Sequence, residues 1–130
     1  MKNRKRKDGI AATKKLPSKG HPAYYRYINN DTIEFIPATH SDKVILKKGD
    51  YLLSFVKSKI IITIPLKNNI NPKEHGRVTY VLPFVFVANR EMLGKELTKL
   101  RVSAEDKKII LELFQKLPRI IITDKSMSRK

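Results

Sequence analysis

Short runs of aromatic and β-branched residues, broken by turn-forming pairs, dominate the first two thirds of the chain. Ala23 to Ile28 and Thr32 to Ile36 are two such runs, separated by Asn29, Asn30 and Asp31, residues that tolerate tight turns; the pattern predicts a β-hairpin. In the second run Ile33, Phe35 and Pro37 alternate with Thr32, Glu34 and Ile36, which makes one face the drier one. Gly49-Asp50 signals another turn, and Tyr51 to Val56 is expected to meet Lys59 to Leu66 through Lys57-Ser58 as a second hairpin. Asn68 to Gly76, rich in Asn and charge, reads as an exposed loop. Val78 to Val87 is the longest β-type run; Pro83, which cannot donate to a ladder, implies an edge, a bulge or a break within it.

The period changes toward the C-terminus. Ser103 followed by Asp106 is a capping signature, Ile109, Ile110, Leu113, Phe114 and Leu117 share a helical face, and Pro118 stops the run, so a helix is predicted over 103–117. A shorter helical segment is read over Arg90 to Leu97, weakened by Gly94. Ile120 to Thr123 is either a last strand or an exposed apolar tail. These elements sum to a mainly β, α+β fold: a small, strongly bent antiparallel sheet of five or six strands with a C-terminal helix, expected to close into a barrel because short strands otherwise leave open edges.

At 130 residues and 41% hydrophobic content, the chain suits one domain. Its longest apolar runs fall short of the ~20 residues of a membrane span, there is no secretory signal pattern and there is no cysteine; the expected location is cytoplasmic, without a membrane. Charge alters the picture more. Twenty-eight Lys and Arg against twelve Asp and Glu leave +16, a field that attracts polyanions. Residues 1–19 hold eight basic side chains against Asp8 and read as a disordered basic arm, with the domain spanning 20–123 and a basic tail over 124–130.

Candidate chemistry is sparse. His21, His40 and His75 have no metal-site spacing, and the five glycines are scattered, so no metal, cofactor or phosphate loop is expected. What stands out is a pair of segments bracketing the first hairpin: Gly20-His21-Pro22 and Pro37-Ala38-Thr39-His40-Ser41. Antiparallel pairing brings them together, so that an imidazole, two hydroxyls and a second imidazole can share one place, a set suited to acid–base chemistry on a phosphodiester. The plainer reading is a His-Pro turn leading into a strand and a hydroxyl-rich strand exit that caps its own backbone.

The order of these segments resembles the opening of the PemK/MazF-like toxins, in which a Gly-x-Arg-Pro strand is followed by a strand ending in a Thr-containing turn. Thr79 to Leu82, Phe86 to Leu97 around Gly94, and Ser103 to Leu117 resemble the later parts of that family, so the likeness runs over about 19–117. The Pro37 to Ser41 turn is also similar to the ToxN-like toxins. The resemblance implies an SH3-like barrel, a possible homodimer, an antitoxin partner (protein or RNA), and metal-independent cleavage of single-stranded RNA by attack of the 2′-hydroxyl. His21 stands where the family has its Arg, and Thr39 where it has its Thr. An imidazole carries charge only when protonated but can move a proton, so the change either makes His21 an acid or base or abolishes activity.

On this reading His21 and Thr39 are catalytic, with Ser41 a donor to phosphate and His40 the reserve for a second proton transfer; of Thr39 and His40, which sit on opposite sides of a strand, Thr39 is favoured as inward. Lys43 or Arg26 supplies charge. Lys43, Lys47, Lys48, Lys57, Lys59, Lys73, His75 and Arg77 are expected to follow RNA phosphates, and Tyr25 to stack on bases, although Tyr25 shares its strand face with Tyr27 and one tyrosine set belongs to the core. The alternative function is a non-catalytic nucleic-acid-binding accessory protein of a phage or mobile element.

Overall fold

The computed structural model describes residues 7–14, 20–73 and 77–122. Among these described residues ten strands and one α-helix follow in order: β1 (Asp8–Thr13), β2 (Pro22–Tyr27), β3 (Thr32–Thr39), β4 (Lys43–Ile45), β5 (Ile60–Ile62), β6 (Ile64–Pro65), β7 (Tyr80–Val81), β8 (Val85–Asn89), β9 (Leu93–Glu96), α1 (Ala104–Lys116) and β10 (Arg119–Ile121). The main sheet runs β10-β8-β3-β2-β1-β9, with β7 bridging the end of β3 to β6, and β4-β5 forms a separate ribbon. All pairings are antiparallel except β10 with β8. The mainly β fold with a C-terminal helix is thus present, but the strand path ends at β9 on one side and β10 on the other, so the sheet is open where a closed barrel was expected. Cover comes from layers instead: α1 packs on one face and the β4-β5 ribbon with its flanking turn on the other.

The hairpin of β2 and β3 forms as the pattern predicts. Asn29 closes its turn by accepting from the backbone N–H of Asp31 and Thr32, each at 2.9 Å, an Asx-type turn. β3 lies at the centre of the sheet and has no wet face: Ile33 and Phe35 are buried among Tyr25, Phe86 and Leu82, while Ile36 and Ala38 on the other side are buried beneath Ile110 and Phe114 of α1. The expectation of one drier face fails because two layers, not one, cover this strand. Glu34, 5% exposed, is the polar exception. It is held by ion pairs from Arg26 and Arg119, and Arg119 also donates to the Phe114 carbonyl at 2.8 Å, which ties β10 to the centre of the sheet.

Three further expectations are corrected. Residues 8–13 of the supposed disordered arm form β1, a strand between β2 and β9. Its small side chains look unfit for a core, yet Ala11 and Thr13 are buried, and at Gly9 an added Cβ would meet a Glu96 carboxylate oxygen at 2.5 Å and the Tyr25 hydroxyl at 3.1 Å. Small residues there let the β2 tyrosines pack close. The remainder of the arm and the 124–130 tail lie outside the described residues. Tyr51–Ser54 forms a 3-10 turn rather than a strand, because the apolar Leu52 is buried by coiling (Val56 N–H to Leu52 O, 3.0 Å); β5 pairs with β4 instead. Arg90 to Leu97 is not a helix: Asn89 caps a three-residue 3-10 turn, and the chain then extends as β9 along β1.

The break at Pro83 separates β7 from β8. Helix α1 begins at the capping Ser103, whose oxygen accepts from the Asp106 N–H, and buries Ile110 and Phe114, one turn apart, against the sheet. Ile120 and Ile121 belong to β10, so the apolar end is a strand over its described part.

Candidate functional site

The β2-β3 register pairs Ala23 with Pro37; carried two residues further, it sets His21, just ahead of β2, opposite Thr39, the last residue of β3. His21 is held in place from behind. Its carbonyl accepts from the Thr13 N–H at 2.7 Å, and Gly20 donates to the Thr13 carbonyl at 2.8 Å, so the chain turns into β2 on a backbone lock to β1. Gly20 has φ of 89°, a left-handed conformation that a side chain would strain.

Between these segments lies a cleft of about 350 Å³. Gly20 to Pro22 form one wall, Ala38 to Ser41 the other, and Ile70 with Thr79 the floor. A second groove of about 390 Å³ continues from it, sharing His21, Thr39 and Ser41 and adding Lys43 and Tyr51 above a floor of Leu52 and Leu82. The two hollows therefore meet at His21, Thr39 and Ser41. β3 ends at Thr39, so strand alternation stops there and both Thr39 and His40 line the first cleft; only Thr39 also reaches the second.

His21 is half-buried, and its pKa lies below the ordinary 6.5, first because burial disfavours the imidazolium and then because His40 repels it. At neutral pH His21 is a neutral imidazole, able to accept a proton. Thr39 Oγ1 receives only a long contact from the Ser41 N–H, 3.4 Å, and the Ser41 carbonyl is tied to the Thr63 hydroxyl at 2.7 Å, which fixes the backbone and leaves the Ser41 side chain exposed. The Thr79 hydroxyl, in contrast, is used within the fold: it accepts from Ile70 N–H at 2.9 Å and donates to Asn69 at 3.2 Å.

Of the basic residues expected near the site, Lys43 lines the second groove. Lys47, Lys48, Lys57 and Lys59 are exposed on the β4-β5 ribbon and its connection, and Lys73 and Arg77 are exposed on the loop that supplies the floor. His75 lies outside the described residues. Arg26 is misplaced by the sequence reading. It projects from the α1 side of the sheet, paired with Glu34 and 4.4 Å above the Phe114 ring, because its strand parity is that of Tyr24, not of the cleft. Tyr25 is likewise corrected. It is 4% exposed, stacks edge-on against Tyr27, and its hydroxyl donates to Glu96 at 2.7 Å, so its ring is core and offers no face to a base.

The sequence reading missed Ile70, Thr79 and, behind them, Asp106. The loop taken as solvated is organised: Asn71 N–H donates to Asn69, Lys73 N–H to Asn71, and the Arg101 N–H to the Ile70 carbonyl at 2.8 Å. Asp106, 1% exposed, reaches from α1 and accepts from Lys67 N–H at 2.7 Å and Asn68 N–H at 2.9 Å. The Asn-x-Asn spacing of 69 and 71 was the available signal, since each Asn can bond the backbone two residues on. Among the described residues no three His, Cys, Asp or Glu side chains gather as a metal site, and no helix is long and apolar enough to cross a membrane. Compared with known proteins, the chain matches no family model, no curated protein and no solved structure.

Proposed function

We propose that the cleft cleaves single-stranded RNA without a metal, as an endoribonuclease toxin held in check by an antitoxin in the cytoplasm. The observation that carries this reading is the meeting of His21, Thr39, His40 and Ser41 in one hollow that opens toward Lys43. In the proposed reaction neutral His21 takes the proton of the 2′-hydroxyl, and that oxygen attacks the adjacent phosphorus. The bond from phosphorus to the 5′-oxygen breaks, and His40, in its protonated form, supplies the proton that the leaving oxygen needs. The products are a 2′,3′-cyclic phosphate and a 5′-hydroxyl. Thr39 and Ser41 hydroxyls donate to the non-bridging oxygens, and Lys43 offsets their charge. Arg26 has no part. The SH3-like kinship and the homodimer belong to this proposal as well, resting on the order of segments that resembles the PemK/MazF-like toxins.

Incubation of the protein with single-stranded RNA in EDTA tests it. Cleavage leaving cyclic phosphate ends is expected, falling by about 10²–10⁴ in His21→Ala and also in Thr39→Ala. Intact RNA, or cleavage indifferent to both substitutions, overturns it. The second reading, a non-catalytic nucleic-acid-binding accessory protein, is favoured by one observation: the exposed lysines at 47, 48, 57 and 59 stand outside the cleft and need no chemistry beside them. It expects salt-sensitive binding with RNA left intact.

A further inference from the structure

The second groove is lined by four consecutive residues, Lys43 to Leu46. Alternate side chains of a strand point to opposite faces, so four in a row can line one groove only if the groove runs along the strand's backbone edge. β4 is such an edge, since its sheet has two strands and β5 is the other. The ladder shows which backbone groups face outward. Leu46 donates to the Lys59 carbonyl and Thr63 to the Asp42 carbonyl; with Val44 in register opposite Ile61, residues 42, 44 and 46 bond inward to β5, and the N–H and C=O groups of Lys43 and Ile45 face the groove. On the far edge of the ribbon, Ser58 already serves Ile60, its hydroxyl donating to the Ile60 carbonyl at 2.9 Å and accepting from the Ile60 N–H at 3.1 Å. The ribbon thus has a far edge engaged at Ile60 and a near edge turned to a hollow.

Its outer face is also unusual for a basic protein. Ile45, Ile60 and Ile62 are 60%, 51% and 67% exposed, with Ile45 and Ile60 directly cross-strand. Exposed lysines at 43, 47, 48, 57 and 59 outnumber the two acids of this region, Asp42 and Asp50, and the Asp50 carboxylate is engaged by the Lys47 N–H at 2.7 Å. From these observations we infer that the groove takes an extended, acidic, apolar-bearing peptide segment of a partner protein, which adds to β4 as a third strand.

The chemistry favours a peptide over a nucleic acid here. An added strand offers N–H and C=O groups at every second residue, the spacing at which Lys43 and Ile45 present theirs, and extends the isoleucine face with its own apolar side chains. Phosphates carry no donor for the two carbonyls. Carboxylates on such a segment meet the lysine rim, whereas a second copy of this chain would set one lysine rim against another. The inference stands independently of whether the neighbouring cleft cuts RNA.

The test uses a short capped peptide alternating valine and glutamate, a fully N-methylated copy of it, and a short uridine oligonucleotide, each titrated into the ¹⁵N-labelled full chain. The valine–glutamate peptide is expected to shift and protect the Lys43 and Ile45 amides, with the N-methylated copy and the Ile45→Pro variant each weakening binding by about tenfold or more, the loss expected when strand pairing is removed. Lys43→Glu with Lys59→Glu is expected to weaken it as well. Equal binding of the N-methylated peptide, shifts confined to other strands, no response to the peptide at concentrations on the order of 1 mM, the weak limit of specific recognition, or occupation of this edge by the oligonucleotide alone overturns the inference.

Discussion

Asp106→Asn removes one negative charge and almost no volume at the point where α1 grips the loop that floors the cleft. The carboxylate has two acceptor oxygens and uses each on a separate N–H, Lys67 at 2.7 Å and Asn68 at 2.9 Å, at 1% exposure. An amide has one acceptor and must aim its NH₂ at the remaining N–H. One hydrogen bond is therefore lost outright, the other loses its charge assistance, and a buried donor is left facing a donor. With ~1.5–3 kcal/mol for a hydrogen bond to a charged group and a similar penalty for an unsatisfied buried one, the cost is about 2–4 kcal/mol. Against a domain stability of ~5–15 kcal/mol that is a large fraction. In urea, with a slope near ~2 kcal/mol per molar, the unfolding midpoint should fall by about 1–2 M at unchanged slope. Ser103→Ala should cost less, about 1 kcal/mol, since its oxygen serves as cap for the Asp106 N–H at 3.1 Å and receives Asn68 Nδ2 at 2.9 Å on an exposed side. Hydrogen exchange at the Lys67 and Asn68 amides should quicken in Asp106→Asn before the sheet amides respond. A loss below about 0.5 kcal/mol, the ordinary scatter of surface substitutions, with both amides still protected, would show that the carboxylate does not hold the loop.

Phe114→Ala should cost about 3–5 kcal/mol, because the ring is fully buried, 6.1 Å from Tyr24 and capped by Arg26; thermal or urea unfolding measures it, and a loss under about 2 kcal/mol contradicts the packing. By NMR the His21 ring should titrate below 6.5, and His40→Gln should move it back toward 6.5 by removing the weaker of its two causes; an unmoved or lowered value refutes the coupling. Since the folded pKa lies below the unfolded 6.5, the unfolded chain binds more protons between the two, so stability rises with pH through that window and is lost as pH falls below 6.5; urea midpoints on either side of 6.5, compared with His21→Asn, give the sign. Tyr25→Phe should cost about 0.5–1.5 kcal/mol through the lost Glu96 bond and leave RNA affinity unchanged, whereas a drop in affinity would return Tyr25 to the binding surface.

How much of this was legible in the chain depends on whether a signal was local. The β2-β3 hairpin, the break at Pro83 and the helix after Ser103 each announce themselves within a few residues, through Asn29 to Asp31, through a missing N–H, and through a hydroxyl three positions before an acid. The cleft was legible for the same reason: two ends of one hairpin must meet, so His21 and Thr39 could be paired without knowing anything else about the fold. β1 was not legible, because Gly9, Ala11 and Ala12 carry no apolar bulk; they are strand residues only by virtue of Tyr24 and Tyr25 on the neighbouring strand and Glu96 from much later in the chain. Arg26 and Tyr25 failed for a related reason. Their parity was readable, but which face would receive α1 was not, and the helix decides that Arg26 serves Glu34 and Phe114 while Tyr25 sinks into the opposite layer.

Asp106 shows the limit most sharply. As the acid three residues after Ser103 it looks like half of a reciprocal cap, and Ser103 does perform its half. The carboxylate instead crosses to Lys67 and Asn68, residues 39 and 38 positions earlier in the chain. A helix N-terminus offers unsatisfied donors of its own, so a short acid there has a local alternative; only the burial of Ile70 and Thr79 beneath the cleft makes the distant partners worth more. The floor of the site is therefore set by a contact between the first turn of a helix and a loop that no window of sequence contains, while its walls are set by a single hairpin, and a substitution at Asp106 should disturb the floor without moving His21 away from Thr39.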